Sequence, residues 1–224
     1  LKKGYLPEAI TNFCALLGWH PKDDREVLSE EELEQIFDID GIGVSPAVFD
    51  IEKLDYFNGY YIRQKKVSEL LPLAKPFLSS LLESAPSERT TDEFLEAVLA
   101  LEQPRLHYLA ELPENTDFFF TTNLNYERDL LIWKKSTAEE TKSYLEELRG
   151  LLDGMSETGW GTEDLERVIV TYLKEDEKPL GNYLWPLRVA LSGKKASPSP
   201  FEIMGVLKKE ETLARIDQAI RNLS

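Results

Sequence analysis

Leu180–Phe201 reads LGNYLWPLRVALSGKKASPSPF, a helix, a short basic loop and the start of a second helix. Leu184, Leu187, Val189, Ala190 and Leu191 form an apolar run that encloses one arginine, Arg188. Gly193-Lys194-Lys195 makes the basic loop, and Ser197-Pro198-Ser199-Pro200 leads into Phe201. From Pro186 to the C-terminus seven basic residues stand against four acidic ones, in a chain whose net charge is −15. A basic, aromatic-bearing tip on an acidic body suits a localised anionic partner. The competing reading is a helix–loop–helix whose lysines are simply solvated.

Outward from this stretch the pattern stays helical. Pro7 suits a first turn, with Ile10, Phe13, Cys14 and Leu17 on one face and Gly18 placed as the stop. Ser29 with Glu32, and Thr137 with Glu140, have the spacing of capping boxes. Asp50 and Thr91 are placed to cap two further helices, the first closed by Asn58-Gly59, and Pro104 ends the second. Ser68 opens a helix carrying Leu70, Leu73, Phe77 and Leu78. Thr162 and Pro200 open the later ones, and Leu213, Ile216, Ile220 and Leu223 mark the last. Phe118-Phe119-Phe120 has the chemistry of a base-stacking platform, but an adjacent aromatic run is read here as a plug between helical layers. No segment sustains strand alternation. The expectation is an all-α chain with breaks near Lys65-Lys66-Val67 and near Asn125–Arg128, giving pieces 1–66, 67–128 and 129–224.

Composition narrows the function. Hydrophobic residues make up 42% and charged residues 30% of the 224, ordinary for a globular protein. No apolar run approaches bilayer length, so no membrane partner is expected. The single cysteine, Cys14, excludes an internal disulfide and suggests a cytoplasmic setting. His20 and His107 lie far apart with no cysteine pair nearby, so no metal ligands are expected. There is no nucleophile–base pair or dinucleotide fingerprint, and Gly154, Gly159 and Gly161 lack the strand–loop–helix context of a phosphate loop. No catalytic residue is assigned. The chain begins at Leu1, inside what reads as a folded motif, as expected of a piece of a longer protein.

Three stretches together resemble the C-terminal part of bacterial glutamyl-tRNA synthetases: GYLPEAITNFCALLGW (Gly4–Trp19), SPAVFDIEKLDYFNGYYIR (Ser45–Arg63) and PLRVALSGKKASPSPFEI (Pro186–Ile203). They lie in the family's order and spacing. The resemblance implies the end of a stem-contact domain (1–66) followed by two helical anticodon-binding subdomains (67–128 and 129–224). The family's HIGH-type and KMSKS-type ATP motifs do not occur here. It further implies a parent that joins glutamate to tRNA with ATP and magnesium, and a piece that is inactive alone, needs no cofactor and binds tRNA-Glu rather than DNA. A monomer is expected.

Carried over residue by residue, the resemblance places Arg105, in Gln103-Pro104-Arg105, at the third anticodon base. Arginine there marks members that discriminate tRNA-Glu from tRNA-Gln, and glutamine marks members that charge both. Cytosine presents acceptors that a guanidinium can engage, where a purine would not fit. Arg188 matches a position near the first anticodon bases, and Ser197, Pro198, Pro200 and Phe201 shape the same pocket. Proline at 200 departs from the apolar or small residue expected there. Lys194 and Lys195 are candidate phosphate contacts. The alternative is a helical module that contacts protein rather than RNA.

Overall fold

The computed structural model describes residues 2–43 and 48–224, and Ser45-Pro46-Ala47 of the second motif lie outside the described residues. It is all-α: among the described residues there are ten α-helices and, in place of strands, a single isolated bridge between Trp19 and Ile42. The helices are α1 (Pro7–Leu16), α2 (Glu30–Ile36), α3 (Ile51–Gln64), α4 (Val67–Leu82), α5 (Asp92–Glu102), α6 (Leu112–Thr116), α7 (Ala138–Asp153), α8 (Thr162–Glu175), α9 (Leu180–Ser192) and α10 (Pro200–Leu223). The chain forms two compact units, one of Leu1–Glu83 with Glu102–Asn115, the other of Ser84–Leu101 with Thr116–Ser224. Compactness therefore divides the chain differently from the sequence breaks at 66 and 128.

In the first unit α1 packs on α3. Phe13, Leu16, Trp19, Leu28, Leu33, Leu54 and Phe57 form the core. The Ser29–Glu32 capping box forms, and Asp50 caps α3 by accepting from the Glu52 and Lys53 amides. The buried face of α1 is Ala9, Asn12, Phe13 and Leu16, whereas Cys14 is exposed and Ile10 and Leu17 are half-buried. The face thus lies about one position away from the one that apolar spacing predicts, because a buried asparagine completes it. Asn12 donates to the Glu26 carbonyl and accepts from the Leu28 amide and the Tyr61 hydroxyl, which stitches the 26–28 segment to the helices. α1 ends at Leu16 with a right-handed Leu17 as its cap, so Gly18 stands just past the helix end, where the sequence places it.

Asn58-Gly59 does not close α3, which continues to Gln64. Asn58 is fully buried, accepts from the Leu6 amide at 2.7 Å and donates to the His107 carbonyl at 2.5 Å. A Cβ on Gly59 would stand 3.0 Å from the Leu106 carbonyl oxygen, so this pair serves close packing rather than a turn. Gly4 has φ of +76°, and a Cβ there would come 2.6 Å from the Leu109 Cβ. Only glycine meets both demands while the 3–4 carbonyls accept from the Leu109 and Ala110 amides. α4 starts at Val67, one residue before Ser68, and buries Leu70, Leu71, Ala74 and Leu78, leaving Leu73 exposed.

The second unit is a bundle in which α10 packs on α7, α8 and α9. Leu145, Leu148, Leu152, Leu165, Ile169, Leu173, Leu187, Leu191, Ile203, Met204 and Ile216 are buried within it. The Thr137–Glu140 capping box forms as its spacing predicts. The two successive helices that the sequence pattern predicts after Pro200 run on as α10, broken at Lys208, whose φ of 63° and ψ of 178° are not helical. Phe118, Phe119 and Phe120 are all buried, so the plug reading holds over the stacking platform. Trp160 is buried as well and donates through Nε1 to the Met204 carbonyl.

Candidate nucleic-acid interface

The basic tip begins where α9 ends. Gly193 adopts the left-handed conformation (φ 69°) and returns its amide to the Val189 carbonyl at 2.7 Å. A Cβ at this position would lie 3.1 Å from the Tyr126 ring, so glycine serves both the turn and the contact. Ser192, buried, donates to the Arg188 carbonyl and accepts from the Lys194 amide, drawing the turn back over the helix end. On the far side Ser199 and Glu202 make a capping box, and Pro200 occupies the first turn of α10, where a missing N–H costs nothing. The loop is therefore fixed at both ends by backbone-satisfying caps. That fixity is what a reader of unpaired bases needs.

Arg188 lies across this loop. Its Nη2 donates to the Lys195 carbonyl at 2.8 Å, and its guanidinium carbon sits 4.8 Å from the centre of the Trp185 ring. Its Nε is buried and has no hydrogen-bond partner among the described residues. The guanidinium is thus held by one carbonyl and one aromatic face, neither of which neutralises its charge. Lys195 is exposed, whereas Lys194 pairs with Asp117 at 2.6 Å and covers the Phe118 ring. Of the two candidate phosphate lysines, Lys195 presents its charge outward and Lys194 directs part of its charge to the protein.

Pro198, Pro200 and Phe201 are buried and Ser197 is half-buried. They support the loop from beneath. Arg105 belongs to the other compact unit, so the structure gathers Arg188, Lys194, Lys195 and the 197–201 segment in one unit and Arg105 in the second. Arg105 is exposed on the 3₁₀ turn Gln103–Arg105. The turn is anchored by Gln103, whose Nε2 donates to the Ile62 and Lys65 carbonyls at 2.7 Å each, and by the fully buried Leu106. Those two carbonyls are at the C-terminal end of α3, where the Ile62 carbonyl also accepts from the Lys65 amide.

Two groups of residues escape the sequence pattern. Trp133 and Trp185 stack with ring centres 4.5 Å apart, and Trp185 Nε1 donates to the Leu130 carbonyl. Beneath the loop, buried Arg89 and Arg215 share Glu211 and hold the carbonyls of Phe118, Phe119, Thr121 and Leu191. The one local signal for the first is Trp185 three residues before Arg188. Nothing in the local pattern marks the second. Among the described residues no group of three or more His, Cys, Asp and Glu is arranged to hold a metal ion, and no helix is long and apolar enough to cross a membrane.

Comparison with known proteins agrees with the three-motif resemblance. Residues 1–56 match the family of class I (E and Q) tRNA synthetase catalytic domains. The chain is 36% identical to a glutamate–tRNA ligase of Borreliella burgdorferi over 220 residues, covering 98% of this chain and 44% of the relative. It is 39% identical to one of Clostridium botulinum over 226 residues, covering all of this chain and 44% of the relative. It thus spans less than half the length of these curated relatives. A crystal structure of a glutamate tRNA ligase from Elizabethkingia meningosepticum superposes with a TM-score of 0.83 at 27% identity, over the whole of this chain and 42% of that one. The glutamate–tRNA synthetase of Elizabethkingia anophelis gives 0.80 at 26% identity, over 98% of this chain and 41% of its own. With residues 69–220 matching the anticodon binding domain model, a span that includes Arg105, Arg188 and the 193–201 loop, the chain belongs to the anticodon binding domain family.

Proposed function

We propose that this chain is the tRNA-binding part of a glutamate–tRNA ligase and reads the anticodon of tRNA-Glu for a catalytic domain elsewhere in the protein. The observation that carries this reading is Arg188, a guanidinium fixed by the Lys195 carbonyl and the Trp185 ring on a doubly capped loop inside the family match. Arg105, on its anchored turn, is the second reader, and arginine at that position favours tRNA-Glu over tRNA-Gln. Ser197, Pro198, Pro200 and Phe201 shape the loop, and Lys195, aided by Lys194, meets the backbone phosphates. The functional division falls at Lys66/Val67, with a second boundary at Arg128/Asp129; the two family matches stop at 56 and resume at 69. ATP and magnesium serve the ligase reaction through motifs that this sequence does not contain, so no step of that chemistry is assigned to its residues. The protein works as a cytoplasmic monomer.

The net charge of −15 shapes the expected behaviour. The phosphate-derived part of the affinity comes only from the local cations and falls steeply as counterions compete. Titrating tRNA-Glu transcript at rising salt tests the reading. Binding that weakens with salt, and weakens further in Lys195→Ala, is expected. Tight, salt-insensitive binding untouched by that substitution would count against this account, and no binding of tRNA would favour a protein-contact module.

A further inference from the structure

Beyond the arginine at the tip, the second unit carries a continuous ladder of cations and indoles. The Arg188 guanidinium lies 4.8 Å from the Trp185 ring centre, Trp185 lies 4.5 Å from Trp133 with an interplanar angle of 33°, and Lys134 Nζ stands 4.7 Å from Trp133. Gly181 leaves room for the inner ring, since a Cβ there would sit 2.8 Å from Trp133 Nε1. Trp133, Lys134, Lys135, Glu140, Tyr144 and Asn182 line a groove of about 640 Å³ beside it. Lys134 and Lys135 are exposed and Trp133 is half-buried, so the groove offers two positive charges and an indole to solvent.

The backbone adds a second observation. Lys134 has φ of 51°, in the left-handed region that glycine and asparagine occupy at little cost. A lysine held there is strained, because its Cβ crowds the following carbonyl oxygen. The turn itself does not require lysine, since it is closed by the Ser136 amide donating to the Trp133 carbonyl. A strained residue that carries a charge over an indole, in an acidic chain, is better explained by what it contacts than by what it stabilises.

We propose that this groove is a second RNA site, taking one unpaired or splayed nucleotide whose base replaces the exposed Lys134 ammonium on the Trp133 face not stacked on Trp185, while Lys134 turns with Lys135 to the phosphate. The ladder continues from Arg188, so the nucleotide comes from the same strand as the bases at the tip. Indole and ammonium are the two groups that sequence-tolerant single-strand sites combine. Glu140, whose Oε2 accepts from the Thr137 amide in the capping box, keeps its negative charge on the groove wall, where the two lysines outnumber it. This inference rests on the tRNA-binding reading.

The test is low-salt binding of tRNA-Glu transcript to the whole chain as wild type, Lys134→Gly/Lys135→Ala, Lys134→Arg/Lys135→Arg, Trp133→Ala and Arg188→Ala. The lysine-deleted variant should bind more weakly, with the salt slope reduced by about one unit per lost lysine contact. Its melting temperature should be unchanged or raised, because glycine relieves the strained φ. The arginine pair should restore binding, and Trp133→Ala should lose about tenfold, as for one stacked base. If Arg188→Ala weakens binding while the lysine-deleted variant keeps wild-type affinity and slope, the groove is not an RNA site and the tip reading stands. If the wild type does not bind tRNA-Glu at all, both fall.

Discussion

Glu211 and Arg215 sit one turn apart on α10, with the Arg215 Nε donating to Glu211 Oε1 at 2.7 Å while Glu211 Oε2 meets Arg89 at 2.8 Å. One carboxylate therefore answers two buried guanidiniums, at 5% and 1% exposure. Burial pulls the Arg215 pKa down, and Glu211 opposes that shift. Further donors of both arginines go to backbone carbonyls of Phe118, Phe119, Thr121 and Leu191, the last tying α10 to the end of α9. Removing the shared acid leaves two buried cations with too few acceptors. Glu211→Gln should destabilise the chain by about 3 kcal/mol, measured by urea unfolding, since breaking a buried pair costs more than the pair contributes.

Gly4 and Gly150 predict opposite outcomes for the same substitution. Gly4→Ala must accommodate a Cβ 2.6 Å from Leu109 at positive φ and should cost about 2 kcal/mol. Gly150 lies inside α7 with nothing within 4 Å of an added methyl, so Gly150→Ala should stabilise by about 0.5–1 kcal/mol. Thermal melts of the two variants check both signs.

Asn58 is a buried polar joint rather than a helix stop. Asn58→Leu would strand the Leu6 amide and the His107 carbonyl, each otherwise satisfied by its side chain. The expected loss is about 2–4 kcal/mol, and hydrogen exchange at the Leu6 amide should accelerate.

Glu147 gives the second unit an acid-sensitive contact. Burial pushes its carboxyl up, but Lys178 Nζ at 2.9 Å and the Tyr183 and Tyr172 hydroxyls outweigh this and hold it below 4.5. A carboxyl depressed in the folded state stabilises above its unfolded pKa and loses that contribution as pH falls through the folded value. Glu147→Gln should therefore melt below wild type at pH 7, and the gap should close as the pH is lowered from 4.5. A gap that persists at the acid end would assign the effect to packing instead.

Local chemistry is the legible part of this fold. The Ser29–Glu32 and Thr137–Glu140 boxes, Asp50 as a cap and the buried phenylalanine run all follow from neighbours within one helical turn or from hydrophobicity alone. Asn12, Asn58 and Gln103 are opaque because their partners lie far along the chain, and a buried amide resembles a turn signal until those partners are known. The same separation hides the Trp133–Trp185 stack and the Arg89–Glu211–Arg215 cluster. The role proposed for Arg188 rests on a contiguous motif. Its support by Trp185 and the Lys195 carbonyl emerges only in the folded chain.

On the proposed function, a rigidly mounted Arg105 chooses between tRNAs. Equilibrium binding of tRNA-Glu and tRNA-Gln transcripts at low salt, to wild type and to Arg105→Gln, tests this most directly. Wild type should prefer tRNA-Glu and the substitution should erase that preference, with Gln103 still anchoring the turn. Equal binding of both transcripts by the wild type, unchanged in Arg105→Gln, would contradict it.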